Sequence, residues 1–271
     1  MPFAGVEIAT DKPAMKLHHA PLFVSAALLL GVSSASAEPF GWPQPSGPGT
    51  PVQITYSFSN LLDGGFNTSL SGAELREATV SALSIWSRYA PLHFREVVDS
   101  GPKPSEAPYE RGTHADIRIG YIADTRGETV AHAHLPSEAS GGLAGDIHFG
   151  TDVSSFGARA WGAAADGPFF LDFFSAILHE AGHAIGLPHS PDGAGVMGSV
   201  FLVFGSIEDA DLLPSDIAAI QALYGAGVGS VTPLADPVGT PEPSSIVLLA
   251  TGLACILRRK SGNSPHRSYH S

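Results

Sequence analysis

The chain has 271 residues, of which only 15% are charged, with 31 Gly, 22 Pro and a formal net charge of −12. The acidic surplus argues against nucleic acid as a partner, and the lone cysteine, Cys255, excludes an intramolecular disulfide. What remains is a secreted, loop-rich globular protein rather than a helical bundle, stabilised by core packing and bound metals.

Residues 1–37 read as a signal peptide. Lys16, His18 and His19 make a short basic start after Met15, an alternative first residue. Pro21 to Val32 is apolar and Ala35-Ser36-Ala37 is a small-residue cleavage site. The apolar run is too short for a transmembrane anchor. Residues 38–51, rich in Pro, Gly and Ser, read as a flexible lead-in. Val52 to Phe58 alternates apolar and polar side chains and predicts a strand.

A helix is expected from Ser71 or Gly72 to Tyr89, with Leu75, Ala78, Ala82, Leu83, Ile85 and Trp86 on its apolar face. Leu92 to Val97 and Ala115 to Tyr121 predict two more strands, separated by a proline-bearing loop over 99–112. Shorter strands are expected at 129–134 and 145–149, then a Gly/Ala-rich loop over 150–169. A helix from Phe170 to Ile185 and a last one from Pro214 to Tyr224, with Pro214 in its first turn, complete the elements. Together they imply one mixed domain over 52–225. A linker is expected over 226–240, an apolar segment with a basic end over 241–260, and a tail over 261–271.

The first of these two late helices carries the chemistry. Residues 179–189 read His-Glu-Ala-Gly-His-Ala-Ile-Gly-Leu-Pro-His. His179 and His183 fall one turn apart on one helix face and can share a metal ion, with Glu180 beside them. Gly186 can end the helix in a left-handed conformation, so that the chain returns His189 to the same ion. Three neutral imidazoles leave one position of a tetrahedral Zn²⁺ open for water, the catalytic rather than the structural arrangement.

This stretch, with Ser190 after the last His, resembles a metzincin metallopeptidase of the matrixin group. The resemblance runs over roughly 50–225, through Ile54-Thr55-Tyr56, Ala82 to Ser87, Pro91 to Phe94, Ala115 to Ile119, Ala131 to His134, Gly145 to Phe149 and Ser215 to Gly225. It implies an α+β metzincin fold: a twisted, mostly parallel five-stranded sheet with three helices, and an active-site helix followed by a Met-turn at Met197. It implies zinc on His179, His183 and His189, Glu180 as general base, and zinc-dependent cleavage of an extended polypeptide. The usual Tyr-Pro pair after the Met-turn is missing, which makes Phe201 a candidate for the wall of the specificity pocket.

The family also carries calcium and a structural zinc. Asp116, Gly142, Ala144 and Asp146 match one calcium site, and oxygen-rich loops suit Ca²⁺. His132 and His148 match two structural-zinc ligands. The family's preceding His-Gly-Asp is here Arg126-Gly127-Glu128, which loses one His; Glu128 or His134 could replace it, or the second zinc site could be vestigial. No cysteine precedes Cys255 to serve the family's propeptide-cysteine latency.

Pro241-Glu242-Pro243, the apolar run from Ile246 to Leu257 and Arg258-Arg259-Lys260 resemble a PEP-CTERM sorting signal. That implies export in a Gram-negative-type bacterium, extracellular or surface location, exosortase-type processing, and transient or terminal membrane anchoring. The expected assembly is a monomer. The alternative from another class is a non-proteolytic zinc-binding cell-surface or matrix protein.

Overall fold

In a computed structural model of the chain, the described residues are 40–107, 109, 110, 112, 114–123, 130–199, 203, 204 and 206–235. The signal peptide at 1–37, Glu128, Phe201, Cys255 and the segments 241–260 and 261–271 lie outside them.

The strands are β1 (Val52–Phe58), β2 (Leu92–Glu96), β3 (Ile117–Ile122), β4 (Ala131–Ala133), β5 (Ile147–Gly150), β6 (Ala160–Gly162), β7 (Phe170–Asp172) and β8 (Ser230–Thr232). The helices are α1 (Gly72–Ser87), α2 (Phe173–Ala184) and α3 (Pro214–Tyr224). The main sheet has six strands in the order β4-β5-β3-β1-β2-β8. All its pairings are parallel except β4 on β5. Among the described residues β4 therefore forms one edge of the sheet, with one row of backbone groups unpaired by any neighbouring strand.

Each helix forms for local reasons and then docks by its apolar face. Ser71 caps α1 in a capping box with Glu74. The predicted stripe from Leu75 to Trp86 is buried. Trp86 reaches across to α2, its Nε1 donating to Leu178 O at 3.0 Å. Asp172 caps α2, accepting the Ser175 N–H at 3.2 Å. Beneath the start of α2 lies an aromatic cluster in which Phe149 and Phe173 ring centres are 4.8 Å apart and Phe149 and Trp161 5.2 Å.

Three expectations need correction. The helix predicted from Phe170 begins at Phe173, because Phe170–Asp172 is paired with Ala160–Gly162 as a small second sheet. The 150–169 loop is correspondingly ordered, with Trp161 Nε1 donating to Gly150 O at 2.9 Å. The segment expected to be a linker adds the sixth strand: β8 pairs with β2, and a Cβ at Gly229 would collide with Leu92 O. Finally, the lead-in is not free at its start, since Gln44 Nε2 donates to Leu223 O at 2.9 Å and Trp42 is buried.

Candidate active site

The functional helix ends where the sequence places Gly186, at φ 104°. A side chain there would strike the Phe40 carbonyl, so glycine is required on two grounds. The chain then turns and brings His189 back against His179 and His183. The ring centres of His183 lie 4.7 Å from those of both His179 and His189, and the three offer ligand atoms within 4.8 Å of one another.

The tautomers follow from the hydrogen bonds. His179 Nδ1 lies 2.6 Å from Val196 O and His183 Nδ1 lies 2.7 Å from Leu187 O. A carbonyl only accepts, so both Nδ1 atoms carry the proton and both Nε2 atoms present lone pairs. His179 Nε2 is 3.3 Å from His189 Nε2. Lone pairs gathered in this way call for a cation between them, and the donor set suits zinc. Burial lowers the pKa of His179 and pushes that of His183 down to about 4, which keeps both rings neutral.

Glu180 is buried on the same helix. Burial drives its carboxyl up to about 8, opposed by a hydrogen bond from the Ala133 N–H of the edge strand. Its Oε2 has no hydrogen-bond partner among the described residues. It lines an open cleft of about 690 Å³ with His179, His183 and His189, walled by Val130 to Ala133, Leu135, Phe156 and Leu171.

Met197 lies under the helix. A Cβ on Gly182 would collide with its sulfur and sit 2.9 Å from the Trp86 ring, which explains the glycine between the first two histidines. The turn is held by Asp216 of α3, whose carboxylate accepts the N–H groups of Val196 at 2.9 Å, Met197 at 3.2 Å and Leu213 at 3.1 Å. The sequence shows Asp216 only as a residue near a helix cap; its hold on the Met197 turn depends on tertiary contact.

A second cluster lies on the edge hairpin. His132 and His148 are direct cross-strand partners on β4 and β5, and His134, two residues on, shares their face. Their ring centres are 5.3 to 5.6 Å apart. The fourth member is Glu106, from the 99–112 loop, which no sequence motif marks. Its Oε1 lies 2.9 Å from both His132 Nε2 and His148 Nδ1, and its Oε2 is 3.6 Å from His134 Nε2. Burial works against the Glu106 charge, but the His148 hydrogen bond and the neighbouring imidazoles bring its pKa below the usual value. Burial lowers the pKa of His134, and that of His148 to about 4. His134 Nε2 is buried with no hydrogen-bond partner among the described residues, so the cluster is one donor bond short of closing on itself. The four ligand atoms lie within 4.8 Å of one another.

Of the expected calcium ligands, Asp116 and Asp146 lie on adjacent segments. Gly145, next to Ala144 and Asp146, packs so that a Cβ would lie 2.6 Å from Asp116 O. Asp116 Oδ2 accepts from the N–H of Thr55 at 2.8 Å and its hydroxyl at 2.7 Å. Asp146 Oδ2 accepts from the Tyr109 hydroxyl at 2.9 Å, with Arg118 Nη1 3.8 Å away. Asp146 Oδ1 is buried with no hydrogen-bond partner among the described residues, and burial lifts the carboxyl to about 7. An orphaned buried oxygen of this kind fits a cation.

Convergent imidazoles beside a buried carboxylate in an open cleft define the class: a metal centre of the catalytic type, on a mostly parallel sheet with three helices. The chain belongs to the matrixin family, whose model matches residues 48–225. It is 38% identical over 144 residues to matrilysin of Felis catus, covering 53% of this chain and 49% of that protein. It is 33% identical over 172 residues to matrix metalloproteinase-20 of Homo sapiens, covering 64% and 31%, and 32% over 204 residues to macrophage metalloelastase of Oryctolagus cuniculus, covering 73% and 38%. The alignments thus span half or less of these relatives' own length. Matrixins use a catalytic zinc, and His179, His183 and His189 form the group that could bind it.

Proposed function

We propose that the chain is a zinc-dependent endopeptidase acting on extended polypeptides. The observation that carries this reading is the buried, unpartnered Oε2 of Glu180, a residue that lines the open cleft together with three imidazoles whose ligand atoms converge. His179, His183 and His189 would hold the zinc, which supplies a Lewis acid for the scissile carbonyl and lowers the pKa of water. Glu180 takes a proton from the attacking water and returns it to the departing amine as the C–N bond breaks. The peptide lies along β4, whose outer edge is open to strand addition. The Ala133 N–H holds Glu180 in place from that same strand.

Glu106, His132, His134 and His148 are proposed to hold a second, structural zinc, with His134 and Glu106 completing the set that His132 and His148 begin. Asp116, Gly142, Ala144 and Asp146 are proposed to hold calcium. A signal peptide ending at Ala37 and the PEP-CTERM-like segment 241–260 support export and display at the surface of a Gram-negative-type cell, with exosortase-type processing and a monomeric domain.

The test is cleavage of unfolded casein by the chain in zinc and calcium, beside Glu180→Ala. The variant is expected to retain zinc and lose activity by about 10²- to 10⁴-fold, and a chelator should silence the parent. Equal activity in the variant would sink the mechanism. Zinc binding without cleavage in the parent would move the reading to the non-proteolytic surface protein.

A further inference from the structure

The last turn of α2 has all its terminal carbonyls satisfied, and two of the partners come from distant parts of the chain. Ala181 O accepts the Ile185 N–H at 3.1 Å, Gly182 O the Leu187 N–H at 2.9 Å and His183 O the Gly186 N–H at 2.8 Å. These are the local closures of a helix that ends at a left-handed glycine. Two carbonyls remain. Trp42 Nε1 donates to Ala184 O at 2.9 Å, and the Tyr224 hydroxyl donates to Ile185 O at 2.7 Å. The Trp42 N–H in turn donates to the Tyr224 oxygen at 2.8 Å, which joins the two residues into one unit. Both are buried.

The peptide they grip leads straight into the metal-binding limb. Gly186 follows at φ 104°, pressed against the Phe40 carbonyl. Leu187 comes next, and its carbonyl receives His183 Nδ1 at 2.7 Å. Two residues later the chain presents His189. Rotation of the Ala184 and Ile185 peptides would move the acceptor that fixes the His183 tautomer and the backbone that aims His189.

We infer that Trp42 and Tyr224 are positioning residues for the metal-binding limb: by holding the Ala184 and Ile185 carbonyls they set the Gly186 turn, and through it the orientation of His183 and His189. This rests on the zinc reading of the triad. Simple packing is the competing role, since both side chains also fill the core. The two roles differ in what they move. Packing alters the stability of the metal-free fold, whereas positioning alters how tightly zinc is held.

The experiment measures zinc affinity of the full chain by competition with a chromophoric chelator, alongside the Tm of the metal-free form and peptide kinetics in excess zinc. Tyr224→Phe removes one oxygen and Trp42→Phe one N–H donor. Gln44→Ala is the control, because Gln44 holds the same segment to α3 through Leu223 O without touching the limb. Tyr224→Phe and Trp42→Phe are each expected to weaken zinc binding about 10-fold. The double variant should be little worse than either single, as expected of one coupled unit. Excess zinc should restore kcat with KM unchanged, and Gln44→Ala should match the parent in zinc affinity. Parental zinc affinity in Tyr224→Phe, with a lower metal-free Tm, would overturn the inference, as would equal weakening by Gln44→Ala. If Trp42→Phe does not fold, Tyr224→Phe decides alone. A parent that binds no zinc at the triad would overturn the zinc reading itself, whereas a zinc-bound parent with unchanged variants overturns only this inference.

Discussion

The two histidine clusters are built in opposite ways. His179, His183 and His189 come from eleven consecutive residues, on one helix and the turn that ends it. Glu106, His132, His134 and His148 come from a loop and the β4–β5 hairpin, the first and the last 42 positions apart in the chain. The first cluster is oriented by backbone acceptors: Val196 O and Leu187 O set the tautomers of His179 and His183 before any metal arrives. In the second, the acceptor is Glu106, itself a candidate ligand, and His134 Nε2 has no hydrogen-bond partner among the described residues. The helix centre is thus oriented by the fold, whereas the hairpin centre depends on its ligands to hold one another.

The sharpest way to break this comparison is to remove one ligand from each. His183→Ala should lower zinc affinity at the helix centre by well over about 100-fold, a larger loss than an outer partner gives, and abolish turnover. The hairpin centre should still bind its metal. Glu106→Ala should empty the hairpin centre, leave zinc at the triad and reduce activity only through loss of order in β4. Metal stoichiometry by elemental analysis, with Tm measured in parallel, reads both. If Glu106→Ala also strips the triad, the two centres are not independent and the contrast fails.

The contrast also explains what the sequence made legible. The helix centre is read directly because helical period puts His179 and His183 on one face, and a glycine at a helix end is a local signal. Most strands and all three helices were legible for the same reason, their side-chain period being a property of a few neighbouring residues. His132 and His148 came from family resemblance, and His134 stood open beside Glu128. Glu106 had no signal at all: it is one acidic residue in the proline-bearing loop between β2 and β3. Only the path of that loop across β5 brings it to His148. Asp216 and β8 were missed similarly. The first acts on the N–H groups of Val196 and Met197, twenty and nineteen residues earlier. The second is a three-residue strand in a Gly-rich segment, recognisable only when β2 offers it an edge.

A smaller effect tests whether the helix centre is held by backbone alone. Asp216 is buried and its two oxygens take three N–H groups, two at the Met197 turn and that of Leu213 at the start of its own helix. Asp216→Asn keeps the volume but turns one acceptor into a donor that faces another donor. The expected cost is about 2–3 kcal/mol, the range for leaving a buried polar group unmatched, measured by denaturant unfolding of the metal-free chain. Zinc affinity at the triad should fall as well, because Val196 O accepts His179 Nδ1 from this same turn. A stability loss with zinc affinity untouched would show that the His179 acceptor is held from elsewhere.

The smallest expected effect supplies the reference against which the others are read. Ser71 caps α1 at the end of the helix remote from Trp86, and its hydroxyl and N–H both meet the Glu74 carboxylate at 2.7 Å. α1 supplies no ligand to either cluster; it packs against the zinc helix, and Trp86, which bonds Leu178 O, lies fifteen residues beyond Ser71. Ser71→Ala should lower Tm by about 2–4 °C, the shift that loss of one cap produces in a domain of this size. Affinity for metal at both centres should match the parent's. That outcome would show that a modest loss of global stability does not loosen either centre, so the changes in metal affinity in the other variants report on their own residues. If instead the hairpin centre alone loses its metal in Ser71→Ala, its hold is so weak that any destabilisation empties it, and the Glu106 result would no longer identify a ligand.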